Sequence, residues 1–263
     1  MLKIQTLASG SRGNSTYVCS ERARILVDVG LPLPQMLKRL DVAGIAPESV
    51  GAILVTHEHS DHIAGVGAFS LRFGTKIYVH ATAKKCLETK LKPCPFENIE
   101  VFSEPFMVED ISVDFFKLPH DSQFCFGYTF ESSGCKFSLA TDLGFVRDEV
   151  FEKMNGSQIV LLESNHDTQK LELNQKYPSW LKRRIAGTKG HLSNTSAGAA
   201  ALRLYSLGVK QVILGHLSEE NNSPTLAYRA VRDFLHQRGV TEGTDIHIDV
   251  ASQHQVGHPY QID

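Results

Sequence analysis

Four apolar runs, far apart along the chain, each end on a side chain able to hold a metal ion. Gly51-Ala52-Ile53-Leu54-Val55-Thr56 leads into His57-Glu58-His59-Ser60-Asp61-His62. Phe115-Phe116-Lys117-Leu118-Pro119 ends at His120, Phe137-Ser138-Leu139-Ala140-Thr141 at Asp142, and Val212-Ile213-Leu214-Gly215 at His216. Short apolar runs bounded by turn residues read as buried strands. In α/β sheets, ligand sites gather outside the carboxyl ends of such strands. The pattern therefore predicts an α/β chain whose strand ends bring these residues to one point. A lone histidine is explained by packing or solvent; a set recurring at the same structural place is not.

The remaining sequence fits that architecture. Strands are expected at 3–8, 15–19, 24–29, 52–56, 76–79, 112–118, 126–131, 136–141, 158–162, 211–214 and 245–250. Ala197, Ala200, Ala201, Leu204 and Leu207 follow helical spacing, with Ser193 or Asn194 as cap and Gly208 at the end. Ala227, Ala230, Val231, Phe234 and Leu235 repeat it, after Ser223 and Pro224 and before Gly239. Residues 32–40 and 144–155 are further helix candidates. The first third reads as β-hairpins and the last as βαβα, with helices outside the sheets. No repeat, low-complexity tract or long linker breaks the chain, so one domain over 1–263 is expected.

Composition excludes several classes. Lys and Arg number 27 against 29 Asp and Glu, a net charge of −2, so nucleic acid can be held only by a local patch. A 42% hydrophobic and 21% charged chain is not disordered. No apolar run approaches the ~18–20 residues of a membrane span, and Met1-Leu2-Lys3-Ile4-Gln5-Thr6 does not open a secretory signal. The five cysteines are odd in number and never spaced C-x-x-C. Reduced thiols and a cytoplasmic location are expected.

The spacing within residues 57–62 carries chemistry. On a helix, side chains at i and i+2 diverge, so His57 and His59 could not serve one ion there. In a loop they can face one way, while Asp61 and His62, after a turn, face another. That suits two adjacent metal ions, and imidazole with carboxylate favours Zn, Mn or Fe over Ca or Mg. Glu163 ends the run Gln158-Ile159-Val160-Leu161-Leu162, and His191 precedes a helix start in Lys189-Gly190-His191-Leu192-Ser193-Asn194. A Glu beside a His can orient it and keep it protonated as a general acid. Asp28, after Ile25-Leu26-Val27, is a candidate to fix a histidine's orientation.

These residues resemble the metallo-β-lactamase superfamily, whose H-x-H-x-D-H signature matches His57-x-His59-x-Asp61-His62 and whose later ligand motifs match His120, Asp142 and His216 in order. The resemblance implies an αβ/βα four-layer sandwich, two sheets inside and helices outside, with two metal ions in the groove between sheet edges. It implies His57, His59 and His120 on the first ion, Asp61, His62 and His216 on the second, and Asp142 on both. Leu7-Ala8-Ser9-Gly10-Ser11-Arg12-Gly13-Asn14, Leu162-Glu163-Ser164-Asn165-His166-Asp167, Gly190-His191-Leu192-Ser193-Asn194 and Leu214-Gly215-His216-Leu217-Ser218-Glu219-Glu220-Asn221-Asn222 are similar to the YycJ/WalJ branch. That branch is regarded as a metal-dependent 5′→3′ DNA exonuclease. Glu163 and His191 also resemble the pair that protonates the leaving group in ribonuclease Z. Arg12 stands where a small residue is expected, and there is no long inserted arm of the kind that enzyme uses to grip tRNA.

The resemblance implies phosphodiester hydrolysis by a hydroxide shared between two metals, with Asp61, Glu163 and His191 as the catalytic set. DNA is the expected substrate and partner. Lys176, Lys182, Arg183, Arg184 and Lys189 accompany Tyr177 and the only Trp, Trp180. Cations hold phosphates and aromatics stack on bases; the other reading is a solvated helix face with Trp180 in the core. The Ser9–Asn14 loop can present N–H groups to a phosphate or be a plain hairpin turn. Ser11, Asn14, Lys182, Arg183 and Asn194 are the candidate substrate contacts. His80, His236, His247, His254 and His258 are assigned to structure or surface, the last two in a mobile tail; His166 lies nearer the expected rim. The alternatives are a small-molecule phosphodiesterase or (thio)ester hydrolase, a ribonuclease, and a redox di-iron or metal-poor protein. His59 and the complete ligand set argue against the last.

Overall fold

Apolar residues alternating along the strands build two facing sheets. The computed structural model describes residues 1–91 and 93–263. β1 (Leu2–Ala8), β2 (Ser15–Cys19), β3 (Arg24–Val27), β4 (Ala52–Leu54), β5 (Lys76–His80) and β6 (Ile99–Phe102) belong to the first sheet. β7 (Phe106–Val108), β8 (Ile111–Lys117), β9 (Phe126–Ser132), β10 (Cys135–Ala140), β11 (Ile159–Glu163), β12 (Gln211–Gly215) and β13 (His247–Val250) form the second, and β14 (Tyr260–Ile262) returns to pair with β1. Strands β1 to β3 and β7 to β10 run antiparallel; β3 to β6 and β10 to β13 run parallel. Each sheet is thus a meander that turns into parallel crossovers, a duplication of topology without a repeat in sequence.

The helices are α1 (Leu33–Ala43), α2 (Ser60–Ile63), α3 (Val66–Phe73), α4 (Lys84–Lys90), α5 (Asp148–Met154), α6 (Thr168–Leu173), α7 (Ser179–Ile185), α8 (Asn194–Ser206) and α9 (Pro224–His236). The period-two alternation of each central strand divides its residues between two cores. Ile159 and Leu161 of β11, and Ile213 of β12, join the core between the sheets. Val160, Leu162, Val212 and Leu214 face Val150 and Met154 of α5, Ala197 and Leu204 of α8 and Val231 of α9. The layers are helix, sheet, sheet, helix, an αβ/βα sandwich. None of the described helices is long and apolar enough to cross a membrane.

Strands β6, β7 and β14 escape the sequence reading because they are short and lie at or near sheet edges, without a clean buried alternation. The tail is not loose: Leu2 pairs with Ile262, and His254 Nε2 lies 2.9 Å from Glu219 Oε1. Ser193, not Asn194, caps α8, its hydroxyl accepting from the Ser196 amide, and the Ser223 hydroxyl caps α9. The helix expected from residue 144 starts only at Asp148, after Arg147 with extended backbone; Gly144 packs so closely on Thr188 that a Cβ would lie 2.3 Å from its carbonyl carbon.

Candidate metal centre

The end of β4 opens directly into the histidine motif. His57 forms an isolated antiparallel bridge with Cys125, and His59 stands with extended backbone at the N-terminus of α2. Asp61 and His62 then fall in the first turn of α2. The chain direction changes between the two pairs, so His57 and His59 present to one side and Asp61 and His62 to another. Opposite them, β8 leads to His120, β10 to Asp142 and β12 to His216. Asp142 and His216 hold left-handed backbone, with φ of 67° and 55°, and Asp28 does the same at 61°. Non-glycine residues rarely adopt this conformation, and it clusters where surrounding structure enforces a functional geometry.

Donor atoms from both sheets converge. One nitrogen each from His57, His59 and His120 lie within 4.8 Å of one another, as do donors of Asp61, His62 and His216. Asp142 joins His57 and His62 in a third such group. Its carboxylate oxygens lie 3.3 Å from His62 Nε2, 3.8 Å from His120 Nε2 and 3.4 Å from His216 Nδ1. His57 Nε2, His216 Nε2 and Asp142 Oδ2 are buried without a hydrogen-bond partner among the described residues. Buried polar atoms are almost always paired, and lone pairs from imidazole and carboxylate meeting at one point fit a divalent cation.

A surrounding layer of hydrogen bonds sets which nitrogen each ring turns inward. His62 Nδ1 lies 2.7 Å from Asp28 Oδ2, and the Thr56 amide and hydroxyl donate to the same carboxylate at 2.8 and 2.7 Å. Glu163, fully buried, accepts from the Leu143 and Leu192 amides through Oε2. Its Oε1 lies 2.8 Å from both His191 Nδ1 and His216 Nδ1. Burial pushes this carboxyl up, but His191 and His216 outweigh it and hold it down at about 2. Burial opposes charge on His191, yet Glu163 more than offsets that and raises its pKa above the ordinary histidine value. His57 is driven well below that value by burial and by His62, which outweigh the opposing pull of Asp142. His166 is buried and lowered to about 4 by desolvation.

The expected substrate contacts divide. Ser11 and Arg183 are exposed and Lys182 is half-buried. Two of the five turn inward instead. Asn14 is buried; its side chain exchanges hydrogen bonds with the Gly10 backbone and its Nδ2 reaches within 3.0 Å of His62 Nε2, so it braces the loop against the motif. Asn194 is 2% exposed, bonded to the Ser164 hydroxyl and twice to the Asn222 amide. A buried amide must find internal partners, and these are spent on the fold. The Ser9 hydroxyl accepts from the His216 amide at 2.8 Å, so the Ser-Gly-Ser loop ties the first sheet to the second beneath the centre. Trp180 is 60% exposed, which removes the alternative that put it in the core. Helix α7 meets the centre through Arg184, hydrogen-bonded to Asp121 beside His120, and through the Ile185 carbonyl, which accepts from the His191 amide. Sequence reading missed Thr56, Glu58 and Asp121; their adjacency to His57 and His120 was the only available signal.

The sequence matches the Beta-lactamase superfamily domain over residues 23–217. It is 34% identical over 250 residues to Exodeoxyribonuclease YycJ of Bacillus anthracis, covering 94% of each chain. It is equally identical over 250 residues to Exodeoxyribonuclease WalJ of Streptococcus pneumoniae serotype 2, covering 94% of this chain and 93% of that one. The metallo-β-lactamase fold protein YhfI from Bacillus subtilis superposes with a TM-score of 0.73 at 17% identity, covering 98% of both chains. With its sandwich and its His/Asp clusters, the chain belongs to the metallo-β-lactamase superfamily, in the YycJ/WalJ-like branch, and is a metal-dependent hydrolase.

Proposed function

We propose that this chain, as one domain, is a dinuclear phosphodiester hydrolase and, within that class, a DNA exonuclease acting 5′→3′. The observation that carries the reading is the pair of ligand clusters drawn from both sheets and joined through Asp142. In this reading His57, His59 and His120 would hold one divalent ion, Asp61, His62 and His216 would hold the other, and Asp142 would serve both. The donor set suits Zn, Mn or Fe. Bound ions supply Lewis-acid stabilisation of phosphate charge and water acidified toward neutrality.

The chain's own residues do the remaining work. Asp28 keeps the proton of His62 on Nδ1 and leaves Nε2 as a lone-pair donor. Glu163 does the same for His216. His191 also turns Nδ1 to Glu163, so Nε2 is the atom that gives a proton to the departing oxygen. Its side chain keeps 21% exposure, enough to meet a substrate. The exposed Trp180 and the cations Lys182, Arg183 and Lys189 favour a nucleic-acid strand, by stacking and phosphate contact. DNA is favoured by the relatives named exodeoxyribonucleases. The direction rests on the resemblance to that branch.

The test begins with purified protein and elemental analysis of its metals. Labelled duplex DNA, single-stranded DNA, RNA and a chromogenic phosphodiester are then offered with added Mn or Zn. Release of mononucleotides from the 5′ end of DNA, abolished by His59→Ala, supports the proposal. Cleavage of the chromogenic diester alone, or of RNA alone, transfers the chain to a small-molecule phosphodiesterase or a ribonuclease.

A further inference from the structure

Two exposed arginines stand beside the centre, one near each ligand cluster. Arg12 lies in the loop between β1 and β2. That loop is bound to the cluster of Asp61, His62 and His216: the Asn14 amide donates to the Asp61 carbonyl at 2.8 Å, and Asn14 Nδ2 lies 3.0 Å from His62 Nε2. Two residues of chain span at most ~7 Å, so Arg12 starts within that distance of Asn14. The loop is fixed on another side as well. The Arg12 amide donates to Gln253 Oε1 at 3.0 Å, and a Cβ at Gly10 would lie 2.4 Å from the same oxygen. Arg184, on α7, stands by the other cluster. Its Nε donates to Asp121 Oδ2, and Asp121 Oδ1 lies 3.5 Å from His120 Nε2.

Both guanidiniums are engaged through Nε. Arg12 Nε lies 2.9 Å from Glu219 Oε2, as Arg184 Nε meets Asp121. Among the described residues their terminal nitrogens have no hydrogen-bond partner. The side chains are 75% and 54% exposed. Exposed ion pairs hold weakly, and Glu219 also has Gln253 and His254 as partners, so Arg12 can turn to another anion without stranding it. A guanidinium offers its N–H groups as a fork that matches phosphate oxygens.

We propose that Arg12 and Arg184 form a clamp that holds two phosphates of one nucleic-acid strand, one on each side of the metal centre. The inference rests on the nuclease reading and names how that site holds its strand. The strand runs from α7 across the ligand clusters to the Ser9–Asn14 loop, so each sheet supplies one arm.

The full chain, loaded with metal, is titrated with a short single-stranded, phosphorothioate-linked oligodeoxynucleotide by fluorescence anisotropy over a range of salt. For single strands, log K falls with log salt by about 0.7 per phosphate neutralised. Arg12→Gln and Arg184→Gln are each expected to flatten the slope by about 0.7, and the double variant by the sum. Affinity falls about tenfold for each arginine lost. In cleavage of ordinary single-stranded DNA, KM rises while kcat stays within about twofold. Arg12→Lys restores the native slope, which separates lost charge from a disturbed loop. Arg232→Gln removes an exposed arginine of α9 that pairs with Asp233, and leaves the slope alone. A native slope in either single glutamine variant, or an equal flattening by Arg232→Gln, overturns the clamp. Flattening by both, in a chain that cleaves no DNA, leaves the clamp standing and overturns the nuclease reading instead.

Discussion

Glu163 Oε1 stands 2.8 Å from His191 Nδ1, with the carboxylate fully buried and the imidazole partly open. The charge of Glu163 raises the His191 pKa above the ordinary histidine value and so favours the protonated ring. A proton donor of this kind is active below its pKa and loses activity as pH rises through it. In Glu163→Gln the charge is gone and burial now dominates, so the alkaline limb of kcat/KM should move to lower pH and the maximum fall by about 10²- to 10⁴-fold. A pH–rate profile checks this; an unmoved alkaline limb removes His191 from proton transfer.

Asp28 and His62 make a separable prediction. Asp28→Asn keeps the shape but gives up the charge that fixes the ring. Metal affinity should drop about 10- to 100-fold with little change in circular dichroism. Competition with a chelator reads it directly, and native affinity in the variant would show that the ring is held by packing alone.

Trp180 should matter for strand capture more than for stability. It is 60% exposed, so Trp180→Ala should leave the thermal midpoint within a few degrees. Loss of one stacking contact is worth about 1–3 kcal/mol, so KM for single-stranded DNA should rise about 5- to 150-fold, with a smaller fall in kcat. Unchanged KM would place the strand elsewhere on the surface.

Tyr128 ties the sheets together just below the motif. Its hydroxyl, buried on β9, donates to the Val55 carbonyl at 2.6 Å, and Val55 lies two residues before His57. Tyr128→Phe leaves that acceptor unsatisfied and should cost about 1–3 kcal/mol, seen as a lower urea midpoint with unchanged slope. A midpoint equal to the native one would mean that the carbonyl finds another donor.

The convergence of these residues was legible because each follows a buried apolar strand, and a polar residue at such a place has few structural reasons to be there. Asp142 and His216 could be read from Phe137–Thr141 and Val212–Gly215 alone. What the sequence hides is which way a loop folds back. Asn14 and Asn194 have the composition of phosphate contacts, but loops curling over them made them internal braces. Trp180 has the bulk of a core residue, yet α7 has no buried residue and turns Trp180 outward while Leu181 and Ile185 stay half-buried. Edge strands such as β6 and β14 depend on distant partners, and no local periodicity announces them.

The two sheets meet at the metal site through side chains drawn from each. His57 to His62 follow β4, whereas His120, Asp142 and His216 follow strands of the second sheet. A cation held by these residues would be gripped from both sides and would act as a rivet as well as a reagent. Chelation should lower the thermal midpoint by mass action and raise hydrogen exchange at the Thr56 and His216 amides before it reaches the strand centres, so that loss of metal is felt first as a parting of the seam.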